Sequence, residues 1–187
     1  MVRSLILLVP TPKVEANFQL TVDLMTSVIA LDPQWDGGRY NHNPVEGLRL
    51  AGMLYYPWLV SATYLDRISP TQLANEIEQS ARSSASGDAT SLVLRYAACR
   101  GHDIAAPFGG DMSVALSQIA APVLILPSTS DRLLGLDGAR RIRDGVKQPT
   151  YAEIESDLGH RAARAAPATP EWRFIDGQIR TFLAKIE

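Results

Sequence analysis

The chain has 187 residues, 46% of them apolar and 20% charged, with 13 glycines and 12 prolines; this is the composition of a globular protein and the length of one domain. A net charge of -2, from 18 basic and 20 acidic residues mixed along the chain, gives neither the basic footprint of a nucleic-acid binder nor a polybasic membrane anchor. One cysteine, Cys99, and three scattered histidines argue against an internal disulfide and a zinc site.

The first apolar run, SLILLVP, is far shorter than the roughly 20 residues of a membrane helix. Thr11-Pro12 follows where a signal peptide would carry small cleavage-site residues, and reads as a helix cap with proline at the first position. Residues 3–9 are therefore expected to be a buried strand entering a helix, and the cytoplasm is the default location. Over 12–31, Val14, Phe18, Val22, Met25 and Ile29 fall on one helical stripe. The loop DPQWDGGRYNHNP over 32–44 contains Asp32, Trp35, Gly37, Gly38 and Tyr40. Asn43-Pro44 with Glu46 opens a second helix, which Pro57 should kink, and Ser69-Pro70 with Gln72 opens a third.

SSASGD, 83–88, reads as a connector whose Asp88 caps another helix. His102-Asp103 is expected to be a polar corner, and Cys99 a buried small hydrophobe. After Asp111 comes a short helix, then APVLILPSTSD, whose residues 123–126 form a continuous apolar run between two prolines. That is the pattern of a strand buried on both faces. A helix through Ala139, Ile142 and Val146 leads to a third strand over 150–155 and to Gly159-His160. The last helix starts at Thr169-Pro170 and carries Trp172, Ile175, Ile179, Phe182 and Ile186 on one face. Three strands joined in this way should be parallel.

The strand RSLILLVPT, the loop DPQWDGG with Tyr40, the helix opening GLRLAGM, the stretch RYAACRGHD, the run IAAPVLILPSTSD and the closing GH occur in this order over residues 3–182. In that order and spacing the chain resembles the C-terminal half of an α/β-hydrolase, and more narrowly the homoserine O-acetyltransferase-like family. The resemblance implies an α/β fold of about three parallel strands plus a helical lid. Residues 1–11 and 120–187 would form the partial core, and 12–119 the lid insertion. It also implies acyl transfer or ester hydrolysis through a Ser-His-Asp triad, with Asp131 as the acid and His160 as the base.

No G-x-S-x-G occurs in the sequence, and in the family the serine lies on the strand before the one matching residues 3–9. The expectation is a truncated or split portion, inactive alone and acting with a serine-bearing half, or else a non-catalytic binding or assembly module. The family's lid arginine falls at Gly52, its tyrosine two turns later at Leu59, and the aspartate after the triad histidine at Arg161. Those changes disfavour homoserine. Tyr55, Tyr56, Trp58 and Tyr64 favour an apolar or aromatic acyl group, and Arg49 is the alternative cation. An esterase-like branch fits best, with acetyl-CoA as donor only for an acyltransferase and no resident cofactor or metal. The expected partners are a small ester or acyl substrate and either the serine-bearing half or a second copy. The apolar edge at residues 5–9 invites such pairing, and no nucleic-acid or membrane partner is expected.

Overall fold

The computed structural model describes residues 2–186. In chain order the elements are β1 (Leu5–Leu8), α1 (Ala16–Ala30), α2 (Val45–Leu59), α3 (Ala62–Arg67), α4 (Pro70–Ala85), α5 (Ala89–Arg100), α6 (Met112–Ser117), β2 (Val123–Leu126), α7 (Asp137–Gly145), β3 (Pro149–Tyr151) and α8 (Pro170–Leu183). Contacts divide them into two units. One holds Val14–Trp58 and Ala62–Gly101; the other holds the segment up to Lys13, Leu59–Ser61 and the chain from His102 onward.

The second unit is built on a parallel sheet of order β1-β2-β3, with Leu5 opposite Val123 and Val123 opposite Pro149. The run between Pro122 and Pro127 is central and buried along its whole length. Successive side chains of β2 point to opposite faces. Val123 and Ile125 therefore pack with Leu116, Ala139, Ile142 and Val146 on one side. Leu124 and Leu126 pack with Ile154, Ala162, Ile175 and Phe182 on the other. The third strand stops at Tyr151, short of the expected 155, and Pro127 is the reason. Val123 N donates to Gln148 O; stepping by two, the ladder passes Ile125 and then calls on the Pro127 amide, which does not exist. Pairing resumes past that gap, with Ile154 N donating to Pro127 O at 2.8 Å and Thr129 N to Ile154 O at 3.1 Å.

Several local expectations change. Thr11-Pro12 does not cap a helix: α1 starts at Ala16, and residues 11–13 instead join residues 102–104. There Pro12 O accepts from Ile104 N, Lys13 Nζ pairs with Asp103 at 2.9 Å, and His102 Nε2 lies 3.2 Å from Thr11 O. This is the polar corner expected of His102-Asp103. Cys99 is exposed rather than buried, because it lies on the outward face of α5. Trp172 is also exposed; α8 buries Ile175 and Phe182 instead. Ser83 and Ala85 belong to α4, and α5 continues to Arg100.

Ser69, Asp88 and Thr169, expected at helix starts, and Asp111, after which a short helix was expected, each accept from the amide three residues on. Each such cap contributes about 0.5–2 kcal/mol. Asn43 is different, because its side chain bonds Gly87 O and Ala89 N. The start of α2 is held instead by Asp32, whose Oδ2 accepts from Gly47 N at 2.9 Å. Tyr40 donates to Asp88 and accepts from Thr90 N, so the 32–44 loop is fastened to the start of α5.

In the helical unit Phe18, Val22, Met25 and Ile29 of the expected stripe are buried on α1, whereas Val14, also buried, precedes the helix. Helix α2 meets α4 at Gly52, where a Cβ would stand 2.5 Å from Ser80 O and 2.8 Å from Ser84 Cβ. Ser80 Oγ donates to Gly52 O at 2.7 Å. One turn earlier Arg49 makes a forked pair with Glu78, at 3.3 and 2.6 Å, which Arg82 Nε joins at 2.7 Å. Hydrogen bonds from Arg49 and then Arg82 hold the Glu78 carboxyl down to about 2, from an ordinary 4.5. Among the described residues no helix is long and apolar enough to cross a membrane.

Two measurements test this packing. Gly52→Ala should destabilise the chain by about 1–3 kcal/mol through overpacking against α4 backbone. Gly177→Ala, with nothing within 4 Å of its Cβ, should stabilise it by about 0.5–1 kcal/mol. Equal effects in denaturant titrations would contradict the close approach. Because the folded Glu78 pKa is depressed, its contribution to stability is present above about 4.5 and lost as pH falls through about 2. A carboxyl carbon NMR titration should find that low midpoint, and Arg49→Ala should move it up. A wild-type midpoint near 4.5 would contradict the forked pair.

Candidate active site

Asp131 and His160 lie just beyond the C-terminal ends of adjacent parallel segments, where α/β folds assemble their sites. Pairing between Pro127, Thr129 and Ile154 carries the two segments forward in step. The Asp131 amide then closes a turn onto Ser128 O at 3.2 Å. His160 Nδ1 stands 2.8 Å from Asp131 Oδ2. The carboxylate side chain is 1% exposed and the imidazole 25% exposed.

A buried carboxylate is costly unless its oxygens are satisfied. Here Oδ1 accepts from Leu133 N at 2.8 Å and Leu134 N at 3.2 Å, and Oδ2 takes the histidine. A carboxylate only accepts, so Nδ1 carries the proton and Nε2 keeps its lone pair for a reacting group. That arrangement can remove a proton from a hydroxyl and hold the imidazolium that results.

The loop bearing His160 is tied from several directions. Ser130 Oγ donates to Ser156 O and accepts from Gly159 N at 3.1 Å. Ser156 Oγ donates to Glu171 in the first turn of α8 at 2.8 Å and accepts from Leu158 N. Gly159 has φ +60, and a Cβ there would meet Val60 Cα at 2.9 Å, so glycine is required on both counts. Beside them at the same end of the sheet, Val9 has φ 44, a conformation β-branched residues rarely adopt. The Ser130, Ser156 and Glu171 bonds were not read from sequence. The hydroxyls crowding the STSD and ES stretches were the available signal.

The residues expected to touch substrate fall into both units. Arg49, on α2, is engaged by Glu78. Gly52 is closed over by α4, which leaves no room for a side chain at the position of the family's arginine. Tyr55 is half-buried, with its ring 6.4 Å from that of Tyr96, and Trp58 is half-buried near the end of the same helix. Tyr56 and Tyr64 both donate to Glu76. In the sheet unit, Leu59 O lies 3.0 Å from where a Gly159 Cβ would sit. Arg161 is half-buried in the turn after His160, its amide bonded to Leu158 O. Among the described residues no group of three or more His, Cys, Asp or Glu is placed to hold a metal.

No family model matches the chain. It is 30% identical to a homoserine O-succinyltransferase of Laribacter hongkongensis, over 86% of this chain and 48% of that protein. A homoserine O-succinyltransferase of Cupriavidus metallidurans is 27% identical, over 86% and 47%. The structure superposes on homoserine O-acetyltransferase from Bacillus anthracis with a TM-score of 0.82 and 25% identity, covering 98% of this chain and 53% of that one. An acetylester hydrolase from Corynebacterium glutamicum shares the fold with a TM-score of 0.82 at 18% identity, over 97% and 54%. The chain spans about half the length of the curated relatives it matches, and over that half it is similar in sequence to homoserine acyltransferases and has the fold of the α/β hydrolases.

Proposed function

We propose that this chain contributes the acid and base, Asp131 and His160, to a Ser-His-Asp site for acyl transfer or ester hydrolysis whose serine comes from a separate segment. The observation that carries the reading is the 2.8 Å contact between His160 Nδ1 and Asp131 Oδ2. In the proposed cycle the serine hydroxyl attacks an acyl carbonyl while its proton passes to His160 Nε2, and Asp131 stabilises the imidazolium. The proton then goes to the departing alcohol, and water or an alcohol releases the acyl group by the reverse path.

An esterase-like preference is supported by the substrate positions. Homoserine is a zwitterion, and a site for it needs a cation for the carboxylate and an anion for the ammonium group. Gly52 offers no cation, the Arg49 charge is already met by Glu78, and Arg161 has the wrong sign for an ammonium. The second reading, acyl transfer to homoserine with acetyl-CoA as a candidate donor, is supported as to its acceptor by the similarity to homoserine O-succinyltransferases. In either case the cytoplasm is the proposed location.

The proposed partner is the serine-bearing segment, docked on the open edge of β1. Leu5 N donates to Pro122 O, just before β2, and Val9 N to Leu126 O at its end, so the alternating backbone groups of Ile6 and Leu8 face the other way. No strand pairs there among the described residues, and Ile6 is exposed. Such an edge is a template for another strand.

The test combines the chain with the serine-bearing N-terminal segment of a homologous homoserine acyltransferase-like protein. Aryl acetate hydrolysis should appear in the mixture, with the Ile6 and Leu8 amides newly protected from exchange. His160→Ala should lower kcat by about 10⁶-fold. Turnover surviving that change would overturn the assignment of the base. Homoserine acetylation outpacing hydrolysis would overturn the esterase preference. A bound but inert mixture would favour a non-catalytic assembly module.

A further inference from the structure

We propose that Ser130 is the positioning residue that holds Asp131 and His160 in register, an inference resting on the acid and base reading of that pair. The backbone ladder between the two site loops ends at Thr129 N to Ile154 O, 3.1 Å. Past that point no described backbone bond joins residues 130–131 to residues 156–160. The Ser130 hydroxyl takes over. Its single proton goes to Ser156 O, and one lone pair receives Gly159 N–H at 3.1 Å.

Both ends of this clamp adjoin the reactive pair in sequence, Ser130 before Asp131 and Gly159 before His160. The two partners are otherwise held unequally. Asp131 is fixed within its own loop by Leu133 N and Leu134 N. The imidazole has Nδ1 on Asp131, and its backbone position is inherited from Gly159. Gly159 is buried, so its amide has no ready substitute for Ser130 Oγ, and a buried N–H left unpaired is costly. A small shift at Gly159 would relieve that cost and lengthen the contact between Nδ1 and Oδ2. Ser156 Oγ acts at a different place, anchoring the loop to Glu171 and Leu158, and does not bridge to the Asp131 turn.

The experiment follows the His160 Nδ1 proton by ¹⁵N-edited NMR on the full chain, with thermal stability measured in parallel. Ser130→Ala should accelerate exchange of that proton by about tenfold, the equivalent of one hydrogen bond. Ser130→Thr, which keeps the hydroxyl, should restore it to within about threefold. Ser156→Ala keeps the carbonyl that Ser130 uses and should leave the exchange rate near wild type even where it lowers stability. If Ser130→Ala does not fold, Ser130→Cys preserves size with weaker hydrogen bonding, and faster exchange is expected there. Equal acceleration in the Ser130 and Ser156 variants would reduce Ser130 to general loop support and overturn the proposal. So would unchanged exchange in Ser130→Ala. Absence of a protected Nδ1 proton in the wild type would instead overturn the Asp131 and His160 pairing itself.

Discussion

The parallel pairing of β2 with the segment around β3 is the constraint on which the rest of the sheet unit depends. Four consecutive residues of β2 are fully buried, so the strand cannot slip without exposing apolar surface and breaking its ladder on both sides. The register this imposes continues through Pro127, Thr129 and Ile154 and delivers two loops side by side. The contact between His160 and Asp131 is thus the last consequence of a hydrophobic register, stiffened at the end by hydroxyl groups. The same geometry accounts for the burial of Asp131 without penalty, since three donors reach its two oxygens.

The helical unit obeys a different packing logic. Helix α2 approaches α4 so closely at Gly52 that a methyl group would clash, and the neighbouring Arg49 spends its charge on Glu78. Two positions expected to touch substrate are therefore explained by helix packing within this unit. Tyr56 and Tyr64 likewise converge on Glu76, which accounts for part of the aromatic content of the segment. Tyr55 and Trp58 are half-buried and are the remaining aromatic side chains of α2.

Much of this was legible in the residues. The run VLIL between prolines could be little other than a buried strand, and Ser69, Asp88, Asp111 and Thr169 marked helix starts through local hydrogen bonds that need no tertiary context. Asp131 and His160 were paired through the resemblance to the α/β hydrolases, with which their separation by one strand-helix-strand unit agrees. What was not legible was non-local. Thr11-Pro12 has the chemistry of a helix cap but is captured by residues 102–104. Asn43 is captured by Gly87 and Ala89. The short third strand follows from a proline on its neighbour, and the exposure of Cys99 and Trp172 depends on which helix face finds a partner. The Ser130 bonds join loops that are distant in sequence, and no periodicity announces them.

The most direct test of the account is the tautomer of neutral His160, read from its two ring ¹⁵N shifts in the intact chain. A protonated Nδ1 and a bare Nε2, reversed or averaged by Asp131→Asn, is the expected result. An Nε2–H tautomer in the wild type, or ring shifts indifferent to Asp131→Asn, would contradict the claim that the sheet register builds an acid and base pair.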